Sequence, residues 1–203
     1  MEIAIALLSG GIDSPVAIHL MQDRLDIIAA HFHQMPLTDE KEIEKVKQLV
    51  RVLELPKVYL VPFTPVLKSL VELCSHKQYF VLQKIAMMKA ATLIAQKENA
   101  QYLITGENLG QVSSQTLSNL VSITTHVSLE IFRPLLTYDK EEITKVAKKI
   151  GTFDISKGPE ICCLLGPKHP ATKTDVADIG KELERLDPKI IEQCVANADV
   201  IIS

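Results

Sequence analysis

Short apolar runs alternate along this sequence with longer segments of helical spacing. The apolar runs predict five strands, at residues 3–8, 27–32, 57–61, 101–105 and 127–131. Helical patterns follow them, at residues 15–22, 39–53, 65–73, 79–96 and 139–150. Strands that are each followed by a helix pair in parallel, because a parallel crossover needs a long connection. We therefore predict an α/β fold with a five-stranded parallel doubly wound sheet.

The length and composition fit one globular domain with a short extension. The chain has 203 residues, of which 47% are hydrophobic and 23% charged, a balance that excludes disordered chains and disulfide scaffolds. We predict one domain over residues 1–173. Two acidic helices, near 175–185 and 188–197, are predicted to form a tail, residues 174–203, that packs on the same domain.

Charge and cysteine usage restrict the possible functions and compartment. The net charge of −3 excludes a nucleic-acid binder that works by a strong basic field alone. Four cysteines without a regular framework favour a reducing, cytoplasmic location. The start, MEIAIALLSGG, has no basic region, and its apolar run is too short to span a bilayer, so no membrane association is expected.

The loop after the first predicted strand has the composition of an anion site. It reads Ser9-Gly10-Gly11-Ile12-Asp13-Ser14 and leads into a helix for which Ser14 is the predicted N-cap. The glycines let backbone N–H groups approach an anion closely, and the helix N-terminus favours negative charge. The loop lacks the Gly-Lys-Ser/Thr of a Walker A motif. A tight structural turn is the alternative interpretation.

Other polar segments are expected at the same edge of the sheet. Parallel α/β sheets bind ligands beyond the carboxyl ends of their strands, so the segments after Leu8, Phe32, Thr105 and Arg133 should converge. Arg133 could bind a phosphate or form a structural ion pair. The stretch TGENLGQVSSQT, residues 105–116, could hydrogen-bond phosphate and ribose oxygens, or serve only as a capped loop.

Two acidic residues and one histidine near these strand ends are further candidates. Glu107 or Asp13 could support Mg²⁺, which prefers oxygen ligands. His31 ends the second strand, where a histidine with satisfied hydrogen bonds is the more common interpretation, and no role as a base or metal ligand is assigned to it.

Cys162 and Cys163 form a second chemical centre. Lys157, Lys168, His169 and Lys173 lie nearby in the sequence, and positive neighbours favour the thiolate, which is the nucleophile. Two packed, inert cysteines are the alternative. Cys74 and Cys194 lie in predicted helices without metal-ligand spacing and are expected to be packed.

The SGGxDS loop resembles the PP-loop of N-type ATP pyrophosphatases. Further segments in the same order are similar to the catalytic domain of tRNA 4-thiouridine synthetases, which are also linked to thiamine thiazole synthesis. They are HFHQMPLT (31–38), VPFT (61–64), TGENLGQVSSQT (105–116), RPL (133–135), DKEEI (139–143), GTFDIS (151–156) and PEICC (159–163). The resemblance covers about residues 3–173 and implies the adenine-nucleotide α-hydrolase-like (PP-loop ATPase) fold.

The resemblance implies an ATP-dependent sulfurtransferase that adenylates O4 of a uridine in tRNA and replaces that oxygen with persulfide sulfur. Mg²⁺ would accompany the ATP. The implied catalytic residues are Asp13, Cys162 and Cys163, with Cys162 the first choice because it matches the family's Pro-Glu-x-Cys segment. The implied nucleotide contacts are Leu8, Ser9, Gly10, Gly11, Asp13, Ser14, His31, Phe32, Thr105, Gly106, Glu107, Gln111, Gln115 and Arg133. No protein metal ligand is assigned.

The sequence departs from the family pattern in three places. It is expected to lack the N-terminal RNA-binding region and the C-terminal rhodanese-type domain, and Gln83-Lys84 replaces an Arg-Arg pair common in the family. tRNA would then bind through a partner RNA-binding protein or a surface composed by a homodimer, and a donor such as a cysteine desulfurase would supply sulfur. The alternatives are a PP-loop enzyme acting on a small molecule or carrier protein, and a non-catalytic ATP-binding subunit.

Overall fold

The computed structural model describes residues 1–158 and 165–202, so Cys162 and Cys163 lie outside the described residues. The strands are β1 (Ile3–Leu7), β2 (Asp26–His33), β3 (Lys57–Pro62), β4 (Tyr102–Ile104), β5 (Glu130–Phe132) and β6 (Asp199–Ile202). The predicted α/β architecture with a largely parallel sheet is confirmed. The predicted number of strands is wrong, because the described residues form a six-stranded sheet.

The sixth strand, β6, lies at the sheet edge and runs antiparallel to β3. Its four residues follow a helix at the end of the chain, and Ile201 pairs with Val58 of β3. Such a short strand forms because it pairs with a neighbouring strand, and its own four residues carry too little sequence pattern to predict it. For this reason the prediction treated the whole C-terminal segment as helical.

The strand order is β5-β4-β1-β2-β3-β6. β1 pairs in parallel with β2 on one side and with β4 on the other, so successive crossovers leave β1 in opposite directions. The topological switch point therefore lies beside the carboxyl end of β1. The loops after β1 and β4 diverge there and leave a crevice between them.

Most helices follow the predicted order with shifted ends, but α7 (Phe153–Ser156) was not predicted. The helices are α1 (Asp13–Met21), α2 (Glu40–Val52), α3 (Thr64–Leu73), α4 (Tyr79–Glu98), α5 (Leu117–Thr125), α6 (Lys140–Lys149), α7 (Phe153–Ser156), α8 (Val176–Leu183) and α9 (Pro188–Ala196). α6 has a full capping box between Asp139 and Glu142, in agreement with its predicted start. α1 begins at Asp13, so the predicted N-cap role of Ser14 is wrong.

Alternation of side chains along β1 divides the core into two layers. Ile5 and Leu7 pack into the layer that contains α4, whereas Ala4 and Ala6 pack into the layer of α1 and α2. All four side chains are buried. This two-faced burial is what a parallel strand between two helical layers requires, and it explains why β1 reads as a continuous apolar run.

The C-terminal helices pack on the same layer as α4. Ile191 and Cys194 of α9 and Ile179 of α8 are buried in the cluster that includes Ile85 and Leu82. The division of the chain at residue 173 stays a prediction. Within residues 1–158 and 165–202, no helix combines the length and apolar character needed to cross a membrane.

Candidate functional site

A cavity of ≈ 560 Å³ opens at the carboxyl ends of β1, β2 and β4. This volume lies within the range of small-molecule sites. The cavity lies at the switch point where the sequence predicts a ligand. Its lining comprises Leu7, Leu8, Ser9, Gly11, Asp13, Ser14, Ala30, His31, Phe32, Gln34, Glu42, Phe80, Gln83, Lys84, Met87, Thr105, Gly106, Gln111, Val112, Ser113, Ser114 and Gln115.

The structure thus brings together most of the predicted nucleotide contacts. Those that line the cavity are Leu8, Ser9, Gly11, Asp13, Ser14, His31, Phe32, Thr105, Gly106, Gln111 and Gln115. Among the described residues, Gly10, Glu107 and Arg133 are absent from the lining. Placement in the lining shows which side chains a ligand could reach, and the role of each residue stays a prediction.

The loop after β1 is held in shape by its own two serines. Ser14 Oγ accepts a hydrogen bond from the Ser9 backbone N–H at 2.9 Å and lies 3.1 Å from Ser9 Oγ. Ser9 Oγ in turn accepts from the Gly11 N–H at 3.2 Å. Ile12, whose side chain has no hydrogen-bonding group, occupies the N-cap of α1. The start of α1 can therefore direct backbone N–H groups at an anion.

Close backbone packing joins the loop to the strand-end segment of β4. A Cβ atom on Gly106 would lie 2.7 Å from the Ser14 backbone nitrogen and 2.9 Å from Ser14 Cα. Backbone atoms cannot yield as a flexible side chain can, so only glycine fits at this position. On the other side of the loop, a Cβ on Gly10 would lie 2.9 Å from Cδ of Lys45, a flexible stem.

The segment after Gly106 forms the wall opposite the loop. A short 3₁₀ turn at Ser113–Gln115 is closed by a hydrogen bond from the Gly110 N–H to the Gln115 carbonyl at 2.9 Å. Gly110 has a φ of +81°, a conformation that glycine adopts without strain. Gln115 is buried, and its Oε1 has no hydrogen-bond partner among the described residues. The wall therefore presents side-chain amides to the cavity.

Glu107, which is buried, forms an ion pair with the partly buried Arg133. Arg133 Nε donates to Glu107 Oε2 at 2.8 Å, and Thr105 Oγ1 donates to the same oxygen at 3.1 Å. A second guanidinium nitrogen of Arg133 donates to Thr124 Oγ1 at 3.0 Å. Of the two interpretations of Arg133, the structure shows the ion pair. A phosphate contact by Arg133 and a Mg²⁺ contact by Glu107 stay predictions.

His31 reaches the cavity from the end of β2 as a neutral imidazole. Its Nδ1 lies 2.9 Å from the Leu8 carbonyl oxygen, which can only accept, so Nδ1 carries the proton. Burial lowers the pKa of His31 to about 4, although the bond to Leu8 partly opposes the shift. Nε2 therefore presents a lone pair, and it lies 3.8 Å from Oε1 of Glu42 on α2.

Sequence reasoning missed one wall of the cavity, the side of α4 that carries Phe80, Gln83, Lys84 and Met87. These positions follow an i, i+3, i+4, i+7 pattern and so share one helix face. Because α4 buries residues all around its circumference, its sequence contains no polar stripe that would identify the exposed side. Gln83 and Lys84 are noticeable in the sequence only because the resembled family commonly has arginines there.

The two ends of the segment that contains the predicted nucleophiles contact the site. Before it, Ser156 Oγ donates to the Gly11 carbonyl at 3.1 Å. After it, the backbone of Gly166 lies against the Phe80 ring, where an added Cβ would come within 2.2 Å of Cζ. Elsewhere, burial raises the pKa of the Cys74 and Cys194 thiols, which makes them poor nucleophiles.

Comparisons with known proteins agree on one family. The family model described as "Thiamine biosynthesis protein (ThiI)" matches residues 1–187. Probable tRNA sulfurtransferases from Acetivibrio thermocellus and Moorella thermoacetica are 42% and 41% identical to the chain, over 98% and 96% of its residues. The match covers 53% and 52% of those proteins, so the chain spans about half the length of the curated relatives it matches.

Solved structures extend the agreement to the fold. A crystal structure of a 4-thiouridine synthetase–RNA complex with bound ATP superposes with a TM-score of 0.94 at 34% identity, over 100% of this chain and 55% of that chain. NMN synthetase from Francisella tularensis has a TM-score of 0.61 at 17% identity, over 95% of this chain and 81% of that chain. At that identity the second likeness shows the fold alone.

Proposed function

The chain belongs to the thiamine biosynthesis protein (ThiI) family, and we propose that it is an ATP-dependent tRNA sulfurtransferase that converts a uridine to 4-thiouridine. The observation that carries the proposal is the convergence of the SGGIDS loop and the TGENLGQVSSQT segment on one cavity. The 4-thiouridine synthetase with bound ATP, which has the same fold over the whole chain, supports ATP as the nucleotide.

The volume and the lining of the cavity support a nucleoside triphosphate as its ligand. We propose that N–H groups of the loop and of the start of α1, with the Ser9 and Ser14 hydroxyls, bind the leaving pyrophosphate. The apolar side chains of Leu7, Ala30 and Phe32 offer a surface for a base. Lys84 adds a positive charge to the opposite wall. A ligand with an apolar ring at one end and negative charge at the other matches this arrangement.

Mg²⁺ would enter with the nucleotide. Within the described part of the chain, no group of three His, Cys, Asp or Glu side chains could hold a metal ion. Mg²⁺ commonly uses one or two carboxylates together with substrate phosphates, and Asp13 in the lining is the carboxylate next to the proposed phosphate site. The ion would neutralise negative charge on the phosphates. Glu107 forms an ion pair with Arg133 instead of lining the cavity.

The proposed reaction has two steps. The uridine O4 attacks the α-phosphorus of ATP, the bond to pyrophosphate breaks, and an adenylated uridine forms. A cysteine persulfide then attacks C4 through its terminal sulfur, and AMP leaves with the former O4. We propose that Cys162 carries or resolves the persulfide, with Cys163 as the second choice. A second thiol then attacks the cysteine sulfur, which releases 4-thiouridine and forms a disulfide, and a thiol reductant converts this disulfide back to two thiols.

The acceptor and the sulfur donor are proposed from the relatives and not from a surface of this chain. The relatives' names support tRNA as the substrate, and the RNA in the 4-thiouridine synthetase complex agrees. We propose that a cysteine desulfurase supplies sulfur, and that RNA affinity comes from a partner protein or from a homodimer. Each of these can be added to or withheld from an assay.

The decisive experiment is pyrophosphate release from Mg·ATP with and without bulk tRNA. Release that requires tRNA would support the proposal. Release without RNA would favour a small-molecule or carrier acceptor, and ATP binding without release under both conditions would favour a non-catalytic subunit. An Asp13→Asn variant should lose release, whereas Asp23→Asn, an exposed acidic residue beyond α1, should retain it.

The two steps can be separated with a cysteine variant. Cys162→Ser should keep tRNA-dependent pyrophosphate release but form no 4-thiouridine when ATP and a sulfur donor are present. Cys74→Ser is the matched control, because Cys74 lies at the end of α3 with its thiol bonded to the Glu182 carbonyl oxygen. Full 4-thiouridine formation by Cys162→Ser would remove Cys162 from the sulfur-transfer step while leaving adenylation intact.

A further inference from the structure

His31 and Glu42 place two hydrogen-bond acceptors next to each other in the cavity lining. Nε2 of His31 and Oε1 of Glu42 are 3.8 Å apart, too far for a hydrogen bond. Among the described residues, neither His31 Nε2 nor Glu42 Oε2 makes a hydrogen bond of ordinary geometry, although both atoms are buried. The Thr38 hydroxyl lies near Glu42 and lowers its pKa, but it too is buried without a well-formed hydrogen bond. A buried polar atom without a partner costs stability, so such a pair calls for a specific explanation.

The neighbouring contacts fix both groups as acceptors. The proton of the imidazole is on Nδ1, where it donates to the Leu8 carbonyl oxygen, and the side chain of His31 is only 3% exposed. An ionised carboxylate also only accepts. Two acceptors cannot bond to each other, but a single N–H or O–H donor placed beside both could satisfy them together. Since both side chains line the cavity, a ligand can bring that donor.

The position of the pair indicates which part of a nucleotide it faces. His31 is bonded to Leu8, the residue before the SGGIDS loop, and its side chain leaves β2 on the face opposite to Ala30 and Phe32 while all three line the same cavity. A phosphate would bring more acceptors and negative charge against Glu42. A metal ion would lack a third ligand in the described part of the chain. A neutral donor from the nucleoside satisfies both atoms without either problem.

We propose that His31 Nε2 and the Glu42 carboxylate form a specificity subsite that accepts a hydrogen-bond donor of the bound nucleoside, either a ribose hydroxyl or the exocyclic amine of the base. The subsite rests on the proposed function, because it requires ATP in this cavity. The two side chains would distinguish nucleotides that carry this donor from those that lack it. Loss of the donor from the ligand leaves both acceptors buried and unpaired, which is the basis of strong selection.

Calorimetric titration with four nucleotides tests the subsite in the presence of Mg²⁺. The nucleotides are ATP, 2′-deoxy-ATP, 3′-deoxy-ATP and purine riboside triphosphate, which lacks the 6-amino group. On the wild-type chain, the analogue without the recognised donor should bind about 10-fold more weakly than ATP. The identity of that analogue distinguishes a ribose hydroxyl from the base amine.

A Glu42→Gln variant provides the second arm. Its amide N–H can donate to His31 Nε2 and so occupy the acceptor, which should reduce the analogue's penalty to about 2-fold or less. Removing one negative charge changes the affinity for all four nucleotides alike, so only the ratio between them reports the subsite. Glu44→Gln, on the same helix with an exposed side chain, makes the same charge change and should keep the 10-fold ratio.

Glu42→Ala covers the case in which Glu42→Gln fails to fold, and it should lower the ratio in part, because it removes one of the two acceptors while His31 Nε2 remains. Equal penalties in the wild type and both Glu42 variants would overturn the subsite, as would four equal affinities in the wild type. Failure of the wild type to bind ATP at all would overturn the nucleotide part of the proposed function and this subsite with it. The two failures are therefore distinguishable.

Discussion

Two carboxylates lie beside a basic side chain at the carboxyl end of the sheet, and their surroundings differ. Glu107 is fully buried and takes two hydrogen bonds on Oε2, from Arg133 and Thr105. Glu42 is partly exposed to the cavity and faces a neutral His31 that cannot donate to it. We call Glu107–Arg133 the closed pair, because two donors hold Glu107 Oε2, although Glu107 Oε1 has no partner among the described residues. We call His31–Glu42 the open pair, because neither His31 Nε2 nor Glu42 Oε2 has a partner there and both side chains line the cavity.

The comparison teaches that the role of an acidic residue beside a basic one cannot be inferred from the residue types alone. From the sequence, Glu107 and Arg133 look like ligand-binding residues because they follow strands at the switch point. The structure pairs them with each other outside the cavity lining. Glu42, in the first turn of α2, has no motif around it, yet it is the carboxylate that reaches the cavity beside His31.

The largest effect is expected from breaking the closed pair. Arg133→Met leaves Glu107 buried without its cation, which should lower the free energy of unfolding by about 3–5 kcal/mol, as measured by urea denaturation. The double variant Glu107→Gln with Arg133→Met should recover part of that loss. Arg24→Met at an exposed position is the control. A loss below about 1 kcal/mol in Arg133→Met would mean that the pair contributes little.

The open pair predicts a pH-dependent stability. His31 has a pKa of about 4 in the folded chain and an ordinary value near 6.5 when unfolded, so only the unfolded chain binds this proton between those values. Stability should therefore be lost as the pH falls from about 6.5 to 4, by roughly 3 kcal/mol. His31→Gln should remove this part of the pH dependence. His169→Gln, at an exposed histidine, should leave it unchanged.

A substitution at Gly106, next to Glu107, should distort the cavity while leaving the ion pair between Glu107 and Arg133 intact. Gly106→Ala forces a Cβ to within 2.7 Å of the Ser14 nitrogen. Overpacking of this kind should cost about 1–3 kcal/mol of stability, and the displaced loop should weaken ATP binding about 10-fold or more. In Gly180→Ala, the nearest atom is 3.4 Å from the new Cβ, and the same calorimetric titration should show unchanged affinity.

The smallest effect is expected when the open pair loses its charge. Burial raises the pKa of Glu42, even though neighbouring groups including His33 and Lys45 lower it, so the ionised form is not stabilised by its surroundings. Glu42→Gln should change the free energy of unfolding by at most about 1 kcal/mol, with a gain the expected direction. A loss above 2 kcal/mol in urea denaturation would show that Glu42 is a structural partner like Glu107.

The sequence by itself determined the largely parallel α/β architecture and the position of the SGGIDS loop after β1. Both are local: strand and helix periodicities are written in consecutive residues, and Ser9 and Ser14 bond within one loop. The start of α6 beside Asp139 was readable for the same reason. Even here, the start of α1 at Asp13 depends on the loop conformation, which is why the assignment of Ser14 as N-cap failed.

The tertiary structure alone decided which side chains meet. The antiparallel edge strand β6 exists because β3 offers it a partner, and the side of α4 that faces the cavity is set by its packing in the core. The same applies to the two carboxylates. Glu107 meets Arg133 across 26 residues, and Glu42 meets His31 across a strand-to-helix connection. Distances between residues far apart in sequence are fixed by packing, which no local pattern encodes.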